Sequence, residues 1–169
     1  MFYYYPLFIQ QIKLYTTVNE EKTMNLKTWK NSLEKAEKEM ALKHFKLSEF
    51  DSDVKGSGKN MKRVFLKKLD KARNIAGVPF KITSGFRTPQ HNERLKKEGY
   101  KVSANSSHLK GCAADIYCKD SGTRQKIVNG LIMAGFTRIG IADSFIHCDT
   151  DQDKNDAIWL YYEIYLAIY

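Results

Sequence analysis

In the stretch SSHLKGCAADI, residues 106–116, one histidine and one aspartate stand seven positions apart, with a glycine, a cysteine and two alanines among the residues between them. Histidine and aspartate are the side chains here best suited to hold a metal ion, and their spacing limits what the segment can be. On an α-helix seven residues advance about 10 Å at ~1.5 Å each. Two ligands of one zinc each sit only ~2.0–2.2 Å from the ion. A helix therefore keeps His108 and Asp115 apart, whereas a loop that turns at Gly111 and runs into a short strand can bring them together.

Side chains alternate between the two faces of a strand, so Ala113 and Asp115 point one way. Small residues beside the aspartate leave space over it. The stretch FIHCD follows the same rule, with Phe145, His147 and Asp149 on one face. The chain thus offers His108, Asp115 and His147 as a set of two histidines and one carboxylate. Three protein ligands with an open fourth position are the pattern of catalytic zinc, where bound water becomes acidic enough to attack a carbonyl.

The rest of the chain supplies the scaffold. Trp29, Leu33, Ala36 and Met40 recur at spacings of three and four, which predicts an amphipathic helix with a Lys/Glu-rich outer face. A turn-rich connector, FKLSEFDSDVKGSGKN, follows it. Met61, Val64, Phe65, Leu69, Ala72 and Ile75 make a second helical stripe, closed by Gly77 and Pro79. FKITSGF reads as a short strand, Pro89 opens a polar helix to about Lys97, and Ala113 to Cys118 reads as strand. Ile127, Val128, Leu131 and Ile132 line a third apolar helix that stops at Gly135. Short strands around Thr137–Ile141 and Phe145–Cys148 come next, and the tail AIWLYYEIYLAIY is aromatic and β-prone. Helices come early and strands cluster late, so the expected class is α+β, and 169 residues suit one domain with a full core.

A net charge of +9 calls for an anionic partner, and nucleic acid, an acidic membrane face and an anionic wall polymer all qualify. The lysines from Lys59 to Arg73 occupy the outer face of an amphipathic helix without interleaved stacking aromatics, so nucleic acid is not the expected partner. The start of the chain is apolar for only nine residues, against the ~20 that a spanning helix needs. It also lacks the early positive charge and small-residue cleavage site of a secretory signal, and Met24 offers a second start. The three cysteines form no CxxC pair and are expected as small buried hydrophobes, although Cys112 and Cys148 adjoin the candidate ligands. DTDQDKNDAIWL starts like a calcium loop but has Lys154 where that loop needs glycine and Leu160 where it needs glutamate.

Three ordered motifs, ITSGFRTPQHNERL, SSHLKGCAADI and FIHCDTD, resemble the zinc D-alanyl-D-alanine carboxypeptidases and their endopeptidase relatives. That family cuts peptidoglycan stem peptides, includes phage endolysins and shares its fold with the Hedgehog signalling domain. FKLSEFDS and LDKARNIAGVPF are similar to the stretch upstream of the core in its shorter members, so the resemblance spans about residues 45–160. It implies a small antiparallel sheet carrying the zinc site with helices packed on it. The implied division is an extension over 1–24, a helix over 25–44 and a zinc peptidase-like domain over 45–169.

The resemblance also assigns roles. Its Ser-x-His-x-x-Gly-x-Ala-x-Asp pattern falls on Ser106, His108, Gly111, Ala113 and Asp115, and its final His-x-Asp strand on His147. This makes His108, Asp115 and His147 the ligands of a Zn2+ cofactor and places Ser106 on the substrate side. The arginine of the Ser-Gly-Phe-Arg turn falls on Arg87, implied to contact substrate, which suits a guanidinium that can clamp a carboxylate or a developing oxyanion. Asn92 matches a family position expected to hold the loop. Many relatives place an Asp or Glu three residues before the last histidine, and here that slot holds Ser144, which is no general base unaided. Asp143 and Asp149 are the substitutes, with Asp143 favoured as base and Asp149 as a partner of His147.

The implied activity is a zinc metallopeptidase, of carboxypeptidase or endolysin-like endopeptidase type, acting on peptidoglycan peptides. A monomer is expected, with no nucleic-acid partner and no membrane span. The enzyme would be made in the cytoplasm and act on the wall as a phage lysin or a virion-borne protein. Ser144 motivates the alternative, a catalytically inactive zinc-containing module that binds the cell wall without cutting it.

Overall fold

The computed structural model describes residues 25–32, 41–100 and 102–161. The expected extension over 1–24 and the later part of the first stripe (Leu33, Ala36, Met40) lie outside the described residues. The chain divides between Ala41 and Leu42 into two units. In the first, residues 25–32 are helical (α1), and the Ser32 hydroxyl donates back to the Thr28 carbonyl at 2.9 Å.

The second unit carries the rest. Two 3-10 turns, Leu47–Phe50 and Ser57–Asn60, occupy the expected connector. They lead into helix α2, Arg63–Ala76, which buries Phe65, Leu66, Leu69 and Ala72. Val64 departs from the expected stripe and is 78% exposed, because it sits ~100° round the helix from Phe65. Pro89 at the first turn and a Thr88 cap that accepts from His91 N begin α3, Pro89–Lys97. Helix α4, Ser121–Ala134, is capped by the Asp120 side chain and buries Ile127, Leu131 and Ala134 against α2.

Among the described residues five strands form one sheet: β1 Ile82–Ser84, β2 Ala113–Tyr117, β3 Arg138–Ile141, β4 Phe145–Asp149 and β5 Ala157–Leu160. Their order is β1-β2-β4-β3-β5, antiparallel throughout except for the parallel pair of β3 and β5. Alternation sorts the strands into two faces. Ala114, Ile116, Ile139, Ile146 and Cys148 join Phe65, Leu69 and Leu131 in one hydrophobic core. Asp115, Arg138, Gly140, His147 and Asp149 lie on the other face. The class is α+β, as the order of the stripes and alternations predicts. Cys112, Cys118 and Cys148 are buried and free. Among the described residues no helix is long and apolar enough to cross a membrane.

Candidate metal centre

The loop before β2 brings in the first donor. Gly111 adopts φ +65, and a Cβ there would stand 2.3 Å from the Asn60 carbonyl oxygen. Its carbonyl accepts from Lys62 N at 2.7 Å and its own N–H donates to His108 O at 3.1 Å. Only glycine satisfies both the left-handed backbone and the close approach. The chain therefore folds back at Gly111, and His108 returns over the strand that carries Asp115.

The other two donors meet across the sheet. Asp115 on β2 and His147 on β4 are register partners, and Gly140 on β3 flanks His147 on its other side. Asp115 Oδ1 lies 2.8 Å from His147 Nδ1 and 3.4 Å from His108 Nε2, and the two ring nitrogens are 3.3 Å apart. All three residues are buried, and each can offer one ligand atom to a common ion. Bonds of ~2.1 Å at tetrahedral angles put neighbouring ligand atoms about 3.4 Å apart. The observed triangle fits one small divalent ion with a fourth position left open.

The remaining nitrogens are used to aim the rings. A carbonyl only accepts, so the 2.7 Å contact between His108 Nδ1 and Gly85 O puts the proton on Nδ1 and the lone pair on Nε2, facing the cluster. His147 Nε2 lies 3.0 Å from Asp149 Oδ2 and donates to it, which leaves Nδ1 for the cluster. Asp149 is itself held by Arg138 Nε at 2.8 Å and by Asp151 N at 3.0 Å. Such carboxylate–histidine pairs orient metal ligands and raise their basicity.

The electrostatics agree with this geometry. Burial lowers the pKa of His108, against the pull of Asp115. Burial also disfavours a charged His147, but Asp115 and Asp149 on its two nitrogens outweigh it and raise its pKa. For Asp115, burial works upward and is overcome by His108 and His147, which hold the carboxyl well below the usual carboxylate range. Without metal, a proton on His147 Nδ1 bridges to Asp115. A metal ion would take the place of that proton.

The other sequence candidates take distinct places. Arg87 donates through Nη2 to Asp115 Oδ2 at 3.2 Å and through Nε to Ser84 Oγ at 3.0 Å, while its backbone N–H binds His108 O. Its guanidinium thus braces the outer oxygen of Asp115 at the edge of the cleft. Ser106 is buried, and its hydroxyl accepts from His108 N at 3.4 Å. Asn92 donates to the Ser103 carbonyl at 3.1 Å and ties α3 to the loop ahead of His108. Asp149 shares the face of His147, as strand alternation predicts. Asp143 is exposed in the tight turn between β3 and β4, whose Ala142 N–H donates to Phe145 O at 3.0 Å. Both aspartates border a cleft of about 880 Å³ that also holds the three donors.

Several residues of the site carry no motif in the sequence. Arg138 matters only because β3 places it opposite Asp149. Asp151, dismissed with the calcium-like stretch, accepts from Lys110 Nζ and Ser107 Oγ at 2.9 Å each and fastens the His108 loop to the end of β4. Trp159 and Tyr161 reach the same cleft from β5 and the residue after it, with the Trp159 ring 5.5 Å from that of His147. The one hint of them is the aromatic tail.

Compared with known protein families, residues 21–149 match a family model described as Peptidase M15. No curated protein matches the chain.

Proposed function

The chain belongs to the peptidase M15 family, and from that membership and its three clustered donors we propose a zinc-dependent peptidase that hydrolyses peptidoglycan stem peptides or cross-links. The observation that carries the proposal is the triangle of His108 Nε2, Asp115 Oδ1 and His147 Nδ1, with sides of 2.8 to 3.4 Å, beside an open cleft. The family is zinc-dependent, and two imidazoles with one carboxylate are a zinc-type donor set. Bound there, zinc supplies Lewis-acid polarisation of the scissile carbonyl and lowers the pKa of a water.

The chain's own groups do the rest. His108, Asp115 and His147 hold the ion, and Gly85 O and Asp149 fix the two rings so that no ligand must reorganise during turnover. Arg87 holds the outer oxygen of Asp115 in an ion pair at 3.2 Å, which keeps the other oxygen turned toward the cluster, and its guanidinium borders the substrate path. Ser106 lines that path as well. Asp143, exposed at the cleft rim, is the residue we assign to proton transfer in place of the acid that Ser144 lacks. The domain we assign to this activity is residues 45–169, and its basic surface would favour encounter with an anionic wall, in an endolysin-like setting.

The test is direct. Purified protein supplied with zinc should retain one ion per chain and release new amino groups from isolated peptidoglycan. Retained zinc with no release from stem peptides or cross-linked wall would overturn the proposal.

A further inference from the structure

Trp159 and Tyr161 lie beyond the residues that match the family model, which end at Asp149. Their place is nevertheless prepared by the sheet. Strand β5 runs parallel beside β3, with Trp159 opposite Gly140. A Cβ on Gly140 would stand 2.6 Å from Trp159 Cε2 and 2.6 Å from Tyr161 Cε2. The missing side chain at position 140 lets both rings lie over the strand that flanks His147. Trp159 is fixed there by the Arg138 guanidinium, 5.2 Å from its ring centre, and Tyr161 by Phe145 and Trp159, at 5.3 and 6.0 Å between centroids. The Tyr161 backbone N–H donates to Ile141 O at 2.8 Å, which anchors the residue past the end of β5.

This wall brings a further hydrogen-bond donor to the cleft. Attack on a peptide carbonyl builds negative charge on oxygen, and a donor already in place for that charge is worth ~10²–10³ in rate. Arg87 is the candidate from the motifs, and the Nε–Nη2 edge of its guanidinium is given to Ser84 and Asp115, which leaves Nη1. Arg138 is given to Asp149 and to the Asn155 carbonyl, and Lys154 to Ser107 and Asp151. Tyr161 is 42% exposed as a residue, lines the cleft and lies within the electrostatic reach of Asp115, Arg87 and Asp149. Burial first, and then the Asp115 carboxylate, push its pKa up, so it stays a protonated donor, while the Trp159 side chain acts on it in the opposite sense.

From the placement of these two rings we propose that Tyr161 is a catalytic residue of this chain. Its phenol O–H donates a hydrogen bond to the substrate carbonyl oxygen as that oxygen gains charge, and Trp159, admitted by Gly140, is the positioning residue that sets the phenol. No proton is transferred in this role: the O–H bond stays intact while the hydrogen bond strengthens. The inference rests on the peptidase reading above.

Tyr161→Phe removes the hydroxyl and keeps the ring. On peptidoglycan peptide it should lower kcat at least tenfold, with KM within twofold and zinc content unchanged. A kcat within twofold of the parent, or a loss that tracks loss of zinc, would overturn the assignment. A second measurement separates this from failure of the peptidase reading. In a Trp29→Phe background Trp159 is the sole tryptophan, and its fluorescence can follow binding of a phosphinate analogue of D-alanyl-D-alanine, whose charged tetrahedral oxygens mimic the transition state. If the parent cuts nothing, the peptidase proposal falls on its own. Tyr161 still stands if Tyr161→Phe weakens the phosphinate at least tenfold, and falls if affinity is unchanged or no binding occurs.

Discussion

Asp115 and His147, 32 residues apart in the chain, are cross-strand partners whose Oδ1 and Nδ1 atoms lie 2.8 Å apart. Both sit mid-strand in paired strands of the sheet, so their spacing inherits the rigidity of the β2–β4 ladder rather than that of a loop. His108 closes the triangle from a loop, but that loop is fastened on two sides, by Gly111 against Asn60 and Lys62 and by Ser107 against Asp151. A preformed triangle of this kind has direct consequences for metal binding, acid sensitivity and folding.

Replacing Asp115 by Ala should abolish stoichiometric zinc. Two imidazoles remain, and the Arg87 guanidinium loses the carboxylate that now offsets its charge. Elemental analysis after gel filtration should find well under one zinc per chain, and peptide hydrolysis should disappear with it. One retained zinc would remove Asp115 from the ligand set.

Asp149→Ala acts one step further out. His147 loses the acceptor for its Nε2 proton, and Arg138 loses its buried partner. Metal affinity should fall ~10–100-fold, the usual cost of removing a group that orients a metal-bound histidine. Asp149→Asn, which keeps an acceptor oxygen, should lose less. A chelator competition titration measures both.

Acid should weaken metal binding in a defined sense. The raised pKa of His147 means that it carries a proton on each nitrogen below that value, and the metal must displace one. Apparent affinity should therefore fall roughly tenfold per pH unit below the raised pKa and flatten above it. In the metal-free fold the sign is reversed. A histidine whose folded pKa is raised contributes stability that is full below its unfolded value of ~6.5 and is lost as pH rises through the folded value. Calorimetry in buffers of different ionisation enthalpy should show proton release on binding at acid pH. Binding without release there would contradict the bridge between His147 and Asp115.

Gly111→Ala tests the turn that delivers His108. The left-handed backbone costs a non-glycine residue ~1–2 kcal/mol, and the new Cβ must also move the Asn60 carbonyl away from 2.3 Å. Urea unfolding should show a loss of more than about 2 kcal/mol, with weaker zinc binding in the fraction that folds. A change under about 0.5 kcal/mol would mean that the loop relaxes freely.

Asp143→Asn addresses proton transfer. With zinc retained, kcat should fall ~10²–10⁴-fold if the exposed carboxylate is the general base. Unchanged turnover would take Asp143 out of the reaction. If the Asn variant is impaired, Ser144→Glu, which places a carboxylate at the neighbouring position on the cleft rim, should partly rescue it.

Much of the candidate site is legible in the sequence, because the signals that report it are local. The reach of a helix excludes His108 and Asp115 from a common turn, Gly111 marks the reversal, and alternation assigns Asp115, His147 and Asp149 to their faces. The stripes of α2 and α4 follow from the same kind of periodicity, and Val64 and Ile132, 78% and 48% exposed, are misplaced because neighbouring positions on a helix differ by ~100°. Other features depend on which strand lies beside which. The order β1-β2-β4-β3-β5 sets His147 between Asp115 and Gly140, Arg138 against Asp149, and Trp159 over the gap at Gly140. A pattern along the chain tells each residue which way to face, but it carries no information on which distant segment stands opposite. That is decided by the packing of the whole core, and the bracing of Asp115 by Arg87 and the aromatic wall beside His147 exist only at that level.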